Sequence, residues 1–315
     1  MKIIAITPDG EHDYLAAGII EGLYKIDGLT FKSVNRGNGV KTKDKISLKA
    51  FKEQKSDSDF IFIFHGKKPG NYGLLKSFTE EDWSKTVFID GSEWSIAYTS
   101  PLNKSDLVWW EMLENAAFYF KRECYPEYAE LGIIPLQLPA VDKDFGYHYE
   151  DKTLRKDIDV LCAFKNLKGV PDIKHCKSWR QVAIDACNEL KEEGYNIITE
   201  IVDDKEYFKY ITRSRIVIDA YGGGEWNART LQISANMALP FIKEYNIITP
   251  NFEPLKNYIP WRTSEHLKAN IRSFLEPEQK KSLKELTIMY HNRVKEHHTS
   301  EARAKYVIDK ITEVI

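Results

Sequence analysis

Arg215 to Pro250 reads RIVIDAYGGGEWNARTLQISANMALPFIKEYNIITP, an apolar strand, a glycine-rich turn and a helix in succession. Ile216, Val217 and Ile218 form a β-branched run, and Gly222, Gly223 and Gly224 interrupt it where backbone turns tightly or approaches a ligand closely. Asn227 is placed to cap the helix that follows, Arg229 falls in its first turn, and Leu231, Ile233, Ala235, Met237, Ala238 and Leu239 give it an extensive apolar surface. Phe241 and Ile242, with Ile247 and Ile248 as their continuation, read as the next strand. A helix N-terminus presents unpaired N–H groups and partial positive charge, so an anion between the glycines and Arg229 is stabilised twice. The same three glycines also fit a plain connecting loop, since a glycine-rich turn alone does not define a site.

Working outward, 315 residues suggest two domains of about 150 residues each. A hydrophobic fraction of 43% is enough for two cores. With 45 basic and 47 acidic residues the formal charge is −2, which offers no bulk attraction to nucleic acid or an anionic membrane and leaves only a local basic groove open. No segment approaches the ~18 uninterrupted apolar residues of a membrane span, and MKIIAITPDG enters a strand without a signal-peptide pattern, so a soluble, cytoplasmic protein is expected. Cys124, Cys162, Cys176 and Cys187 are far apart, which suggests buried free thiols rather than a zinc site or disulfide framework.

The first half alternates apolar runs with helical stretches, the βαβ pattern of a parallel sheet. Strands are expected at Lys2 to Ile6, Thr30 to Val34, Phe60 to Phe64, Val87 to Asp90 and, near the edge, Ala117 to Phe120; helices are expected at Tyr14 to Lys25 and Leu107 to Glu114. Pro126, Pro135 and Pro139 then break regular structure, and the charged stretch Asp142 to Asp157 suits a connection. Alternation resumes with a strand at Asp159 to Phe164, a helix at Trp179 to Glu193 stopped by Gly194, a strand at Asn196 to Ile201 and a helix at Lys205 to Arg213. Beyond Pro254 the pattern is helical: Ser264 to Leu275, Pro277 to Val294 and Ser300 to Ile315. In such folds a ligand lies at the C-terminal edges of the strands, here in a cleft between two domains.

Several segments resemble, in order, the nucleotide-sugar domain of two-domain GT-B glycosyltransferases, particularly the CgeB-like and group 1 members. Asp157 to Leu161 resembles its first strand, Ser178-Trp179-Arg180 the arginine-bearing start of its first helix, and Tyr207 to Ile218 a helix leading into a strand. Arg229 to Pro240, RTLQISANMALP, resembles the pattern R-x-x-E-x-x-A-x-G-x-P that holds the nucleotide sugar. His298 to Ala304 resembles the start of a C-terminal helix that crosses back onto the first domain, and Phe120-Lys121-Arg122-Glu123 an FKRE-like segment of CgeB-like members. Two departures stand out: Gln232 replaces the glutamate that binds ribose hydroxyls, and Ala238 or Leu239 replaces the small glycine. The resemblance implies an α/β fold of two Rossmann-like domains facing each other across a cleft: an acceptor-side domain at 1–140, a nucleotide-sugar domain at 155–297 and a returning helix at 298–315. It also implies sugar transfer from a nucleoside diphosphate, with retention of configuration, to an acceptor that is a glycan, a small molecule or DNA. Glu225 aligns with the family's acidic residue for the donor sugar.

A leaving nucleoside diphosphate develops negative charge, which fixed cations and N–H groups stabilise. Arg229, Arg180 and Lys165 are the candidates, with Gly222, Gly223, Gly224, Asn227, Thr230 and Gln232 around the nucleotide. No D-x-D stands at a strand end, so no metal or other cofactor is expected; Asp57-Ser58-Asp59 precedes a strand and Asp157-Ile158-Asp159 begins one. A general base belongs on the loops after the first domain's strands. Those loops nominate Asp9, Gly10, Glu11 and His12 as one group, His65, and the pair Asp90 and Glu93. Each equally suits a hydrogen-bonded turn, and Trp109-Trp110 suits a core pair as well as a sugar platform. A sugar-nucleotide epimerase, a non-catalytic nucleotide-sugar or glycan-binding protein, and a viral-type DNA glycosyltransferase are the competing readings.

Overall fold

The computed structural model describes residues 1–7, 13–34, 42–65, 72–92, 111–145, 155–164, 176–203, 205–221 and 225–313. The chain divides into two compact units, Met1–Pro139 with Asn246–Pro250 and Ser300–Ile315, and Ala140–Tyr245 with Asn251–Thr299.

The first unit is built on a six-stranded sheet: β1 (Lys2–Ile6), β2 (Thr30–Val34), β3 (Phe60–His65), β4 (Thr86–Asp90), β5 (Phe118–Lys121) and β6 (Ile134–Pro135). Their order is β2-β1-β3-β4-β5-β6, and every pairing is parallel. All six residues of β3 are buried, as a central strand covered on both faces requires. The short β6 pairs with β5 in a stretch whose prolines suggest irregular backbone. Pro135 is tolerated because an edge strand needs no donor on its outer side. Helix α1 (Tyr14–Leu23) is capped by Asp13, whose carboxylate accepts from the Ala16 N–H at 2.8 Å. Helices α2 (Leu48–Gln54), α3 (Glu80–Ser84) and α4 (Pro126–Ala129) follow the strands, and residues 111–115 are helical where the expected Leu107 to Glu114 helix is described.

Two later segments complete this unit. Ile247 and Ile248 do not continue the strand at Phe241: the Ile248 N–H donates to the Cys124 carbonyl at 2.7 Å, and Gln137 donates to the Ile248 carbonyl at 2.7 Å. The C-terminal helix, α10 (Ser300–Thr312), lies against α1 so closely that a Cβ on Gly22 would sit 1.9 Å from the Ser300 carbonyl oxygen. The Ser300 hydroxyl donates to Glu21 at 2.8 Å and accepts from Lys25 at 3.0 Å.

The second unit carries β7 (Ile158–Leu161), β8 (Ile197–Ile198), β9 (Ser214–Asp219), β10 (Leu239–Lys243) and β11 (Ile259–Trp261), in the order β11-β10-β9-β7-β8, again all parallel. The region after Pro254 therefore contains a strand that its helical pattern conceals; Pro260 interrupts the usual strand composition, and β11 is an edge. Helices α5 (Cys176–Glu192), α6 (Tyr207–Arg213), α7 (Ala228–Ala235), α8 (Ser264–Leu275) and α9 (Lys280–His297) surround the sheet. Its core joins Val160, Ile216, Ile218, Phe241 and Trp261 to Leu190 of α5, Ile271 of α8 and Tyr290 of α9. Met237, at φ 58°, makes the left-handed turn between α7 and β10. Cys124, Cys162 and Cys187 are buried free thiols. No helix among the described residues is long and apolar enough to cross a membrane.

Candidate active site

In both sheets the strand order reverses between the first strand of the unit and the third, β1 and β3 in one, β7 and β9 in the other. Connections on the two sides of such a point leave the sheet in opposite directions, so a crevice opens beyond the C-terminal strand ends.

In the second unit the residues just past those ends form a cluster of cations on aromatic faces. Phe164 follows β7, and the guanidinium groups of Arg229 and Arg180 both lie over its ring, at 5.0 and 5.3 Å from the centroid. Arg229 also lies 5.3 Å from the Tyr207 ring centroid, and Arg180 donates from Nε to the Tyr221 carbonyl at 2.8 Å. Asp219, the last residue of β9, is fully enclosed. It accepts from Thr230 Oγ1 at 2.8 Å and from Asn227 Nδ2 at 3.3 Å, while the Trp261 indole donates to its backbone carbonyl at 3.2 Å. Burial pushes the Asp219 carboxyl above its usual range, against the pull of Arg229, Thr230, Asn227 and Arg180. Burial likewise pushes the Tyr207 hydroxyl up to about 12.

Lys243, the last residue of β10, extends the cluster. Its ammonium stands 4.2 Å from the Trp179 ring centroid and 5.6 Å from that of Tyr221. Burial lowers its pKa, with Glu244 and Glu225 pulling the other way. The Tyr221 hydroxyl donates to the Glu244 carbonyl, and the Glu244 carboxylate is held by Arg262 at 2.6 and 2.9 Å. Arg229 and Arg180 thus both act on the buried Asp219 carboxyl, and Lys243 adds a third cation on the neighbouring Trp179 and Tyr221 rings. Arg229 Nη1 is buried and has no hydrogen-bond partner among the described residues, which leaves it a donor to offer a ligand oxygen.

The sequence-predicted residues fall into distinct roles. Arg229 and Arg180 come together. Asn227 caps α7 by accepting from the Arg229 N–H at 2.9 Å, and with Thr230 it fixes Asp219. Gln232 instead donates to Asp144 at 2.9 Å, beside Asn236, which donates to the Asp144 carbonyl at 2.8 Å; its amide ties α7 to the turn at Asp142–Asp144. Glu225 acts electrostatically on Lys243. Lys165, Gly222, Gly223 and Gly224 lie outside the described residues. Phe164, Tyr207, Asp219 and Lys243 are additions. The available signal was that three of them stand at or just past the ends of apolar strand runs.

At the corresponding edge of the first sheet the groups close on one another. The Asp90 carboxylate, fully buried, accepts from Lys121 Nζ at 2.7 Å, the Tyr119 hydroxyl at 2.8 Å and the Ser92 N–H at 2.9 Å. Burial alone would raise its pKa; the Lys121 ammonium, His65 and the hydrogen bonds from Lys121 and Ser92 outweigh that and hold it low. Such a carboxylate stays ionised and organises its neighbours, and its fit to proton abstraction is poor. His65, at the end of β3, has its pKa lowered by burial, and its carbonyl accepts from the Gly91 N–H at 2.7 Å. Asp13 is close by: a Cβ on Gly91 would meet its carboxylate at 3.1 Å, and burial raises its pKa. Asp9, Gly10, Glu11, His12 and Glu93 lie outside the described residues, as do Trp109 and Trp110.

A family model described as glycosyl transferase-like matches residues 155–309, which include the whole cation cluster. No curated protein matches the chain in sequence. Solved structures share its fold along nearly its whole length. A glycosyltransferase from Rickettsia africae has a TM-score of 0.61 at 12% identity, covering 99% of this chain and 98% of its own. HepE of Anabaena, solved with UDP, has a TM-score of 0.60 at 10% identity, covering 99% and 100%. A Listeria monocytogenes protein assigned as a UDP-N-acetylglucosamine 2-epimerase has a TM-score of 0.54 at 10% identity, covering 99% and 96%. Residues 155–309 thus match the glycosyl transferase-like family model, and the chain as a whole shares the two-domain GT-B fold of these structures.

Proposed function

We propose that this protein is a cytoplasmic glycosyltransferase whose second unit binds a nucleoside diphosphate sugar at the Phe164, Arg180 and Arg229 cluster and transfers the sugar to a glycan or small molecule. The observation that carries the reading is the Nη1 of Arg229, buried and without a hydrogen-bond partner among the described residues, beside a second guanidinium on the same aromatic ring. A diphosphate has oxygens for both groups, and charge that builds on the leaving diphosphate is offset by cations that need not reorganise. With Arg229, Arg180 and Lys243 in that role, the transfer proceeds without a bound metal ion. The UDP bound to HepE, a protein of the same fold, makes UDP the first nucleotide to test.

The test is a thermal-shift titration with UDP, GDP, ADP, CMP and their sugar conjugates. A ligand at 100 times its dissociation constant adds about 2.7 kcal/mol to stability. One nucleotide is expected to raise Tm, and Arg229→Ala is expected to weaken that binding by about 10- to 100-fold, the worth of a lost charged hydrogen bond. Turnover that persists in excess EDTA checks metal independence, and the anomeric configuration of the product by NMR checks retention. Conversion of the sugar nucleotide with no acceptor present would instead make the protein an epimerase. Absence of any shift overturns the donor site.

A further inference from the structure

A second pocket, of about 430 Å³, opens at the N-terminal edge of the second sheet, the edge opposite the cation cluster. Lys156 precedes β7, Arg215 lies near the start of β9 and Met237 precedes β10; helices α8 and α9 supply the remaining walls. The volume is within the range of small-molecule sites, about 300–1,000 Å³. Its walls are apolar, formed by Met237, Phe274, Leu275, Leu283 and Ile288, and the Thr287 hydroxyl is turned to its own helix, donating to the Leu283 carbonyl at 2.8 Å.

The charged groups around these walls are predominantly basic. Lys156, Arg215, Lys280 and Lys284 line the pocket with a single acid, Glu276. Arg215 is paired with Asp159 at 2.9 Å, whereas Lys280 and Lys284 form no ion pair among the described residues. The pocket also receives the start of α9, an 18-residue helix that has no side-chain cap, so the positive end of its dipole adds to the lysines. Lys156 donates to the Ser214 and Met237 carbonyls at 2.7 and 2.5 Å, which leaves one of its three N–H groups for a ligand. Burial pushes this ammonium down to about 7. An anion beside it would restore the charge that burial disfavours.

We propose that this pocket binds a free single-chain amphiphile with an anionic head, a fatty-acid-like carboxylate, whose alkyl chain lies against Met237, Phe274 and Leu283 and whose head meets Lys156, Lys284 and the start of α9. Alkyl burial supplies the driving force, and the lysines supply selectivity for a negative head. The site is separate from the proposed nucleotide site, so the outcome of the nucleotide titration does not bear on it.

Isothermal titration of the full chain with decanoate, below its micellar concentration and at low salt, tests the assignment. Decanoate is expected to bind with one site per chain, and decyltrimethylammonium is expected to bind at least fivefold more weakly. Lys284→Glu, an exposed change that leaves the fold intact, is expected to weaken decanoate by about fivefold, as reversal of one partly screened charge should. Lys281→Glu, on the same helix but outside the pocket, should leave binding unchanged. Absence of decanoate binding, equal binding of the cationic amphiphile, or equal effects of the two variants would each overturn the proposal. So would co-sedimentation with phosphatidylglycerol vesicles in the absence of monomer binding, because the patch would then face a membrane.

Discussion

Asp90 and Asp219 are each the last residue of a central parallel strand, both fully enclosed, and their surroundings drive them in opposite directions. Asp90 has an ammonium at 2.7 Å and is held low; Asp219 has only neutral donors at hydrogen-bond distance and is pushed up by burial. Removing the charge of Asp90 takes from the buried Lys121 ammonium the carboxylate it meets at 2.7 Å, and Asp90→Asn is expected to cost about 3–5 kcal/mol, read from urea unfolding. The sign of its pH dependence follows from linkage. A carboxyl with a folded-state pKa below the ordinary 3.8 stabilises the fold fully above that value, and the stabilisation disappears as pH falls through the folded-state pKa. The variant should therefore show a shallower loss of stability below about pH 4 than the parent protein, in the same unfolding series.

Among elements, the contact between α1 and α10 is the most exacting. Gly22 faces the Ser300 carbonyl where no side-chain atom fits, so Gly22→Ala must push the C-terminal helix outward. Overpacking of this kind costs about 1–3 kcal/mol. The variant should show lower stability and earlier proteolytic loss of Ser300–Thr312. The strands at Lys2–Ile6, Phe60–His65, Thr86–Asp90 and Ser214–Asp219 were legible in the sequence because continuous apolar runs are what a doubly covered parallel sheet demands. β6 and β11 were not, since each is a short edge strand containing a proline. Ile247 and Ile248 misled for a different reason: their β-branched character announced an extended segment but carried no information about its distant partners, Cys124 and Gln137. Arg229 and Arg180 were readable from the cap position and the helix start. Asp219, Phe164 and Lys243 became candidates only once strand order brought the ends of β7, β9 and β10 to one edge.

Over the whole molecule, neither unit is a continuous stretch of chain. Residues from three separate segments make the first unit, and the second is assembled from two. Ala140 and His298, near the places where the chain enters and leaves the second unit, are joined by a 2.7 Å hydrogen bond from the Ala140 N–H to the His298 carbonyl. A fragment ending at Pro139 lacks both the Ile248 segment and α10, and exposes the apolar face of α1. Circular dichroism of that fragment is expected to show no cooperative thermal transition, whereas addition of a peptide spanning Ser300 to Thr312 should restore part of it. A cooperative transition in the fragment alone would show that the later segments are accessory.

The excursions at Asn246–Pro250 and Ser300–Thr312 also govern the order of events at the ribosome. The sheet whose strands are synthesised first cannot bury α1 until α10 has left the exit tunnel, so the earliest-made unit is the last to be finished. Throughout synthesis of the second unit, an apolar surface of the first remains uncovered. The nascent chain therefore passes through a long interval in which chaperone capture competes with folding.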